Sequence, residues 1–197
     1  MARIQTDRLL LREQQERDAA TWGPLAVDPE FRRYVPWRRG DETPEARAAR
    51  SIGGLMARWE SQPLSSMGWV ITRRSDGQLL GTGGVDAGED PAEGELDYFF
   101  GKPFWGQGYG REAAHAMARF ALDHTPFQRL TAYIVPGNAG SIRIAESLGM
   151  RFEREVDYLQ FFPDPSIIEL SSSMTFMYAA RREDITLRDD GYQVVEE

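Results

Sequence analysis

A polar run gives way to an apolar one near the start of this 197-residue chain. Thr6-Asp7-Arg8 is a polar lead-in, and Leu9-Leu10-Leu11-Arg12 predicts a first strand. Scattered Ala, Trp and Leu over residues 13–26 predict a short helix. From 27 to 42 the dipeptide Asp28-Pro29, then Val35-Pro36-Trp37, then Gly40-Asp41 interrupt any regular element. Thr43-Pro44 supplies a helix N-cap and a proline at the first helical position. The helix that follows places Ala46, Ala49, Ile52, Met56 and Trp59 on one apolar stripe, weakened by Gly53-Gly54.

Strand rhythm returns at residues 68–73, turns at Ser75-Asp76-Gly77 and comes back over 78–85. An acidic loop over 86–93 leads to the aromatic strand 95–100. Residues 111–124 predict a helix with Arg111, His115, Arg119 and Asp123 on its polar side. Ala113, Met117, Phe120 and Ala121 form its apolar side, so His115 and His124 read as solvated. Residues 129–135 give the clearest strand. A helix from Asn138 to Leu148 stops at Gly149, and strands follow over 150–157 and 174–180. Phe161-Phe162-Pro163-Asp164-Pro165 reads as a stiff aromatic loop, and the polar residues 188–197 as a loosely held tail. Hairpins followed by strand–helix–strand–helix predict one mixed α/β domain over residues 1–197.

Composition narrows the chemistry. The formal net charge is −8, which argues against nucleic-acid binding and leaves room for a cationic substrate such as an amine. The absence of cysteine excludes a disulfide framework, a thiolate metal site and a cysteine nucleophile. With two histidines, a histidine-based metal centre is not expected. No apolar run reaches the roughly 18 residues of a membrane span, and Met1–Arg12 lacks the apolar core of a signal peptide, so a cytoplasmic protein is expected.

The richest stretch is Trp105-Gly106-Gln107-Gly108-Tyr109-Gly110-Arg111, set between an aromatic strand and an alanine-rich helix. A glycine-rich turn feeding a helix start aims several unpaired N–H groups at one point, where the helix dipole also favours an anion. Spacing excludes two nucleotide motifs. No Gly-Lys-Ser/Thr follows Gly106 or Gly108, as a Walker loop requires, and Arg111 stands where a dinucleotide fingerprint needs its third glycine.

What remains resembles the GNAT superfamily of N-acetyltransferases, whose Gln/Arg-x-x-Gly-x-Gly/Ala loop holds the pyrophosphate of acetyl-CoA. Trp105 at the first position resembles the subgroup of ribosomal-protein N-terminal acetyltransferases. Further likeness lies in Thr6–Arg12, Gly81-Thr82-Gly83-Gly84-Val85, Ala92–Tyr98, Asn138-Ala139-Gly140-Ser141-Ile142-Arg143 and Ser147-Leu148-Gly149-Met150. Asp97 departs from the pattern, since a small glycine is more usual there.

The resemblance implies a mostly antiparallel seven-stranded sheet, splayed between its fourth and fifth strands and flanked by helices. It implies acetyl-CoA as cofactor, with the pantetheine along Tyr98, Phe99 and Phe100. The pyrophosphate would lie on the backbone of Gly106, Gln107, Gly108, Tyr109, Gly110 and Arg111, with Trp105, Asn138 and Ser141 also in contact. The acceptor would be a primary amine, on a small molecule or a protein N-terminus. Such an amine attacks only when neutral, which calls for a base or a water relay. Glu95 occupies the place of the family's base, and Asp97, two residues on, points to the same face. The tyrosine that serves many relatives as acid is replaced by Ala145, leaving Ser141 as the candidate donor to the leaving sulfur. Trp22, Trp37, Trp59 and Phe162 are candidates for the acceptor pocket. Dimers are common in the family, and the aromatic C-terminal region offers a surface for one. A non-catalytic acyl-CoA-binding sensor on the same fold is the alternative.

Overall fold

Two neighbouring strands that run parallel for only three residue pairs and then separate organise this molecule. The computed structural model describes residues 2–35, 37–38, 43–60, 66–88, 90–161, 167–169 and 174–195. In chain order the strands and helices begin with β1 (Arg3–Gln5), β2 (Leu9–Arg12), α1 (Asp18–Ala26), α2 (Pro29–Arg32), β3 (Trp37–Arg38) and α3 (Pro44–Glu60). The hairpin β4 (Ser66–Arg73) and β5 (Leu79–Ala87) follows, then β6 (Glu93–Phe100) and α4 (Tyr109–His124). The chain continues through β7 (Arg129–Ile134), α5 (Ala139–Ser147), β8 (Arg151–Asp157), α6 (Tyr158–Phe161), β9 (Ile167–Glu169), β10 (Met174–Arg181) and β11 (Gln193–Val195).

The main sheet has nine strands in the order β11-β1-β2-β4-β5-β6-β7-β10-β8, and β3 pairs separately with β9. This corrects the expected seven. The two additional strands are the outermost pair on one side, where β11 runs antiparallel to β1 with Ile4 opposite Val194. The tail from 188 to 195 is therefore held rather than loose: Asp7 N–H donates to the Asp190 carbonyl at 2.8 Å, just before this pairing begins. β6 and β7 form the parallel pair among otherwise antiparallel neighbours.

Each face of the sheet carries its own core. α4 covers one face, bringing Met117 and Phe120 against Trp69, Leu80, Leu96, Leu130 and Ile134. Phe120 meets Trp69 edge-on with ring centroids 5.4 Å apart. On the other face Trp22, Phe31, Val35 and Ile52 pack over Val70 and Leu79, with Phe99 beside them. Each such side chain contributes about 1.5–3 kcal/mol when fully buried.

Local signals explain the element boundaries. Asp28 caps α2 by accepting the N–H of Glu30 at 2.8 Å, in a stretch expected to be irregular. α1 starts at Asp18 rather than at residue 13, because the Asp18 carboxylate is held by Arg12 at 2.7 Å and by the Gln15 N–H at 2.7 Å. Thr43 accepts the Ala46 N–H at 3.1 Å, as its capping position predicts. α3 runs through Gly53-Gly54; among its described residues Arg47, Ala48 and Ile52 are buried, whereas Ala49 is exposed. α5 ends as expected at Gly149, whose φ of +83° closes a Schellman motif with Met150 N–H on the Ala145 carbonyl at 3.1 Å.

His115 is the clearest reversal. It is 2% exposed, not solvated. The C-terminal segment folds over it, so that the Arg188 N–H donates to its Nδ1 at 3.2 Å, while its Nε2 lies 3.0 Å from the Ser147 hydroxyl. That hydroxyl donates to the Ile144 carbonyl, which makes Nε2 the protonated nitrogen of a neutral ring. Burial pushes the His115 imidazolium down to about 4.

Candidate active site

The register of β6 against β7 ends at Glu95 opposite Thr131, and from Leu96 onward β6 pairs with β5 alone. At the closed end Arg129 ties three strands, bonding Glu93 of β6 and, at 2.5 Å, Glu153 of β8. At the open end the Tyr98 hydroxyl donates to the Ser141 carbonyl at 3.1 Å, propping the first turn of α5 against β6. Burial raises the Tyr98 phenol, keeping it a donor. The result is a cleft of about 890 Å³ between the separated strands, running to the glycine loop and the start of α5.

The loop is built for close approach. A short 3-10 turn over Lys102–Phe104 precedes it, and the Trp105 Nε1–H donates to the Phe100 carbonyl at 2.6 Å. Gly106 and Gly108 sit at φ +74° and +81°, a region costly for any side chain. A Cβ at Gly106 would meet nothing within 4 Å, so that position stays open because no side chain stands there. Gly108 caps α4, and the first amide with a helical partner is that of Glu112, on the Gly108 carbonyl at 3.1 Å. The preceding amides of the first turn are left for a ligand at the positive end of a 16-residue helix. This cradle fits a pyrophosphate.

Beneath the loop lies a latch that the sequence reading did not find. Glu112, 5% exposed at its side chain, accepts the Thr6 hydroxyl at 2.6 Å, the Arg8 backbone N–H at 2.9 Å and the Arg8 Nε at 2.7 Å. Arg8 also donates from Nη1 to the Gln107 carbonyl at 3.0 Å, and its guanidinium lies 4.6 Å from the centre of the Tyr109 ring. A signal was present: a carboxylate in the first turn of α4, among alanines that proved buried.

Alternation along β6 divides its side chains between the two faces. Leu96, Tyr98 and Phe100 face α4 and α5, while Phe99 joins the core under α1 and α2, with its ring 6.3 Å from Phe31. Glu95 and Asp97 share the Phe99 side of the strand and line the cleft. Tyr133 of β7 lines it too; burial, then the charges of Glu95 and Glu93, raise its phenol. Phe31, Tyr34, Tyr158 and Thr175 complete this wall, and Tyr34 lies 6.0 Å from Trp105 ring to ring. Tyr133, Tyr158 and Thr175 were not anticipated: Tyr133 lines the cleft because β6 parts from β7, and Thr175 and Tyr158 come from β10 and from the helix that follows its neighbour β8.

The structure thus gathers Glu95, Asp97, Tyr98, Phe99, Phe100, Trp105, Gly106, Gln107, Gly108, Gly110, Arg111, Asn138 and Ser141 around one cleft. Tyr109 instead turns into the core beneath Arg8. Asn138 caps α5 by accepting the Ser141 N–H at 3.2 Å. Ala145, at the place of the usual tyrosine, is buried in the core. Trp37 contributes its backbone to β3, and its side chain, like that of Trp59 and all of Phe162, lies outside the described residues.

A family model described as an acetyltransferase (GNAT) domain matches residues 8–151, a span that holds the Arg8–Glu112 latch, the glycine loop and both strands of the cleft. The chain belongs to the GNAT acetyltransferases. Among curated relatives, YkkB of Bacillus subtilis is 30% identical over 160 residues, covering 78% of this chain and 88% of that protein. RimJ of Mycobacterium smegmatis, solved with CoA-disulfide, superposes with a TM-score of 0.71 at 18% identity, over 93% of this chain and 86% of that one. A ribosomal-protein-S5-alanine acetyltransferase from Vibrio fischeri gives 0.69 at 17% identity, over 90% and 95%. Both structures share the fold of this GNAT chain.

Proposed function

We propose that this GNAT domain transfers the acetyl group of acetyl-CoA to a primary amine. The observation that carries the reading is the opening of β6 from β7 directly beyond Glu95, in a cleft that ends on the glycine loop. Acetyl-CoA, when bound, supplies an activated acetyl thioester. The amides of residues 106–111 hold its pyrophosphate at the start of α4. The edge of β6 turned away from β5, over Leu96–Phe100, offers backbone groups to the pantetheine amides.

Glu95 takes the proton from the attacking amine, directly or through one water, and Asp97 on the same face holds the ammonium before that transfer. The aromatic side chains around them, Tyr34, Phe99 and Tyr133, shield the amine from bulk water and favour a cation before deprotonation. Ser141 donates a hydrogen bond to the departing sulfur. Its hydroxyl lines the cleft and has no hydrogen-bond partner among the described residues. The excess of negative charge over the whole chain also favours a cationic acceptor.

The test is thiol release from acetyl-CoA in the presence of mixed amines and peptides carrying free N-termini. Turnover with any acceptor supports the transferase. Binding of acetyl-CoA with no release on any acceptor would turn the reading to an acyl-CoA sensor.

A further inference from the structure

The main sheet consists of two halves with a narrow seam. β11-β1-β2-β4-β5-β6 forms one half and β7-β10-β8 the other, and β6 and β7 share three residue pairs between them. The helices divide in the same way: α4 packs mainly over β1, β2, β5 and β6, and α5 over β7. The cleft opens at this seam. One further segment spans it. The chain leaves the second half at Arg181, the end of β10, passes over the α4 side and enters the outer edge of the first half at Gln193, the start of β11.

This crossing has little slack. Seven strand spacings separate β10 from β11, about 34 Å along the sheet, and the twelve steps of chain available reach about 40 Å when fully extended. A 3-10 turn over Arg182–Asp184 shortens that reach. The segment is held at a few points. Ile185, Leu187 and Tyr192 are half-buried against the core, and the Arg119 guanidinium lies 5.0 Å from the centre of the Tyr192 ring. Asp7 N–H donates to the Asp190 carbonyl, and a Cβ on Gly191 would collide with the Asp7 carboxylate. Asp7 directly precedes Arg8, which reaches the Gln107 carbonyl in the glycine loop. A segment with so few backbone bonds opens more readily than the sheet it ties.

His115 is the point where this segment meets both helices. It stands on α4, its Nε2–H donates to the Ser147 hydroxyl of α5 at 3.0 Å, and its Nδ1 accepts the Arg188 N–H at 3.2 Å. One imidazole thus links the helix of the first half, the helix of the second and the chain that crosses between them. Ser147 itself lines the cleft. We propose that residues 182–195 form a strap that sets the width of the donor cleft, with His115 as the positioning residue that pins it closed. Release at Arg188 frees the two halves to part and loosens the Arg8 latch through Asp7, and the cleft then holds acetyl-CoA less well. By linkage, bound acetyl-CoA tightens the strap by the same factor. The proposal rests on the reading of the cleft as a donor site and adds control of that site from the far edge of the sheet.

The chain has no cysteine, so Gln5→Cys with Gln193→Cys introduces one pair of thiols, at opposed positions of β1 and β11 within reach of a disulfide. Acetyl-CoA is titrated calorimetrically into the wild type, into His115→Ala, and into His115→Ala carrying the cysteine pair, oxidised or reduced with a phosphine. Circular dichroism checks that each is folded. His115→Ala is expected to bind about tenfold more weakly than the wild type. The oxidised pair is expected to recover most of that loss, and the reduced pair none of it. In the wild type, amide hydrogen exchange over residues 188–195 is expected to slow when acetyl-CoA saturates the protein. A folded His115→Ala variant that binds as the wild type does would overturn the strap, and so would a loss that the disulfide does not recover. Should that variant not fold, the exchange measurement decides alone: rates over 188–195 unchanged by acetyl-CoA would overturn the strap while leaving the donor cleft standing. Failure of the wild type to bind acetyl-CoA would overturn the donor cleft and the strap together.

Discussion

Glu112 holds Arg8 at two points, accepting its backbone N–H on one carboxylate oxygen at 2.9 Å and its Nε on the other at 2.7 Å. The contact joins the polar lead-in of β2 to the first turn of α4 across 104 residues of chain. It fixes the glycine loop from below, because the same arginine reaches the Gln107 carbonyl. Arg8 is 46% exposed at its side chain, which weakens the Coulombic part of the pair. Glu112 is buried, so the larger effect is satisfaction of its oxygens by Thr6 and Arg8.

Glu112→Gln is therefore expected to destabilise the fold by about 2 kcal/mol, since the new amide N–H₂ would face the Arg8 donors. Urea unfolding measures it. The same variant is expected to weaken acetyl-CoA binding, as the loop loses its support. An unchanged midpoint with unchanged binding would remove the latch from the account.

Gly106→Ala and Gly108→Ala separate backbone strain from crowding. Both impose about 1–2 kcal/mol of left-handed strain on a side chain. Gly108→Ala also brings its Cβ within 3.3 Å of the Arg8 Nη2, whereas Gly106→Ala meets nothing within 4 Å. Thermal unfolding should place Gly108→Ala below Gly106→Ala. The reverse order would contradict the packing of Arg8 under the loop.

The buried His115 gives the fold a pH dependence of known sign. Its folded value of about 4 lies below the ordinary 6.5, so the folded state binds fewer protons there than the unfolded chain. The stabilising contribution is full above about pH 6.5 and is lost as pH falls towards 4, by up to about 3 kcal/mol. His115→Gln is expected to flatten the stability curve over that window. A wild-type curve no steeper than the variant's would show that the ring is not held neutral.

Glu95→Gln is expected to lower turnover by about a hundredfold while changing acetyl-CoA affinity little, because the lost group serves proton transfer. Asp97→Asn should act mainly on KM for the amine. Steady-state kinetics with equilibrium titration check both. Unchanged turnover of Glu95→Gln across the pH range would remove it from the mechanism.

Strong local patterns made part of this site legible in the sequence. The aromatic strand expected over 95–100, observed from Glu93, the glycine loop and the capped helix after Asn138 are each specified by residues within one element. What escaped is set by contacts between distant segments. β1 and β11 are three residues each and carry little pattern; β1 is held between β2 and β11, and β11 by β1. His115 repeats with Arg111 and Arg119 at helical spacing, yet the segment around Arg188 buries it. Alanine-rich α3 offered too little contrast to separate Ala48 from Ala49. Tyr133 looked like an ordinary strand residue until β6 parted from β7 and opened a cleft in front of it.

We propose that the glycine loop receives the pyrophosphate of acetyl-CoA, and a single titration decides it. Acetyl-CoA is titrated into the wild type and into Gly108→Glu, with circular dichroism confirming that the variant stays folded. A saturable isotherm is expected for the wild type and its loss in the variant, where a carboxylate and its volume occupy the cradle. A folded Gly108→Glu variant that binds acetyl-CoA as the wild type does would contradict it.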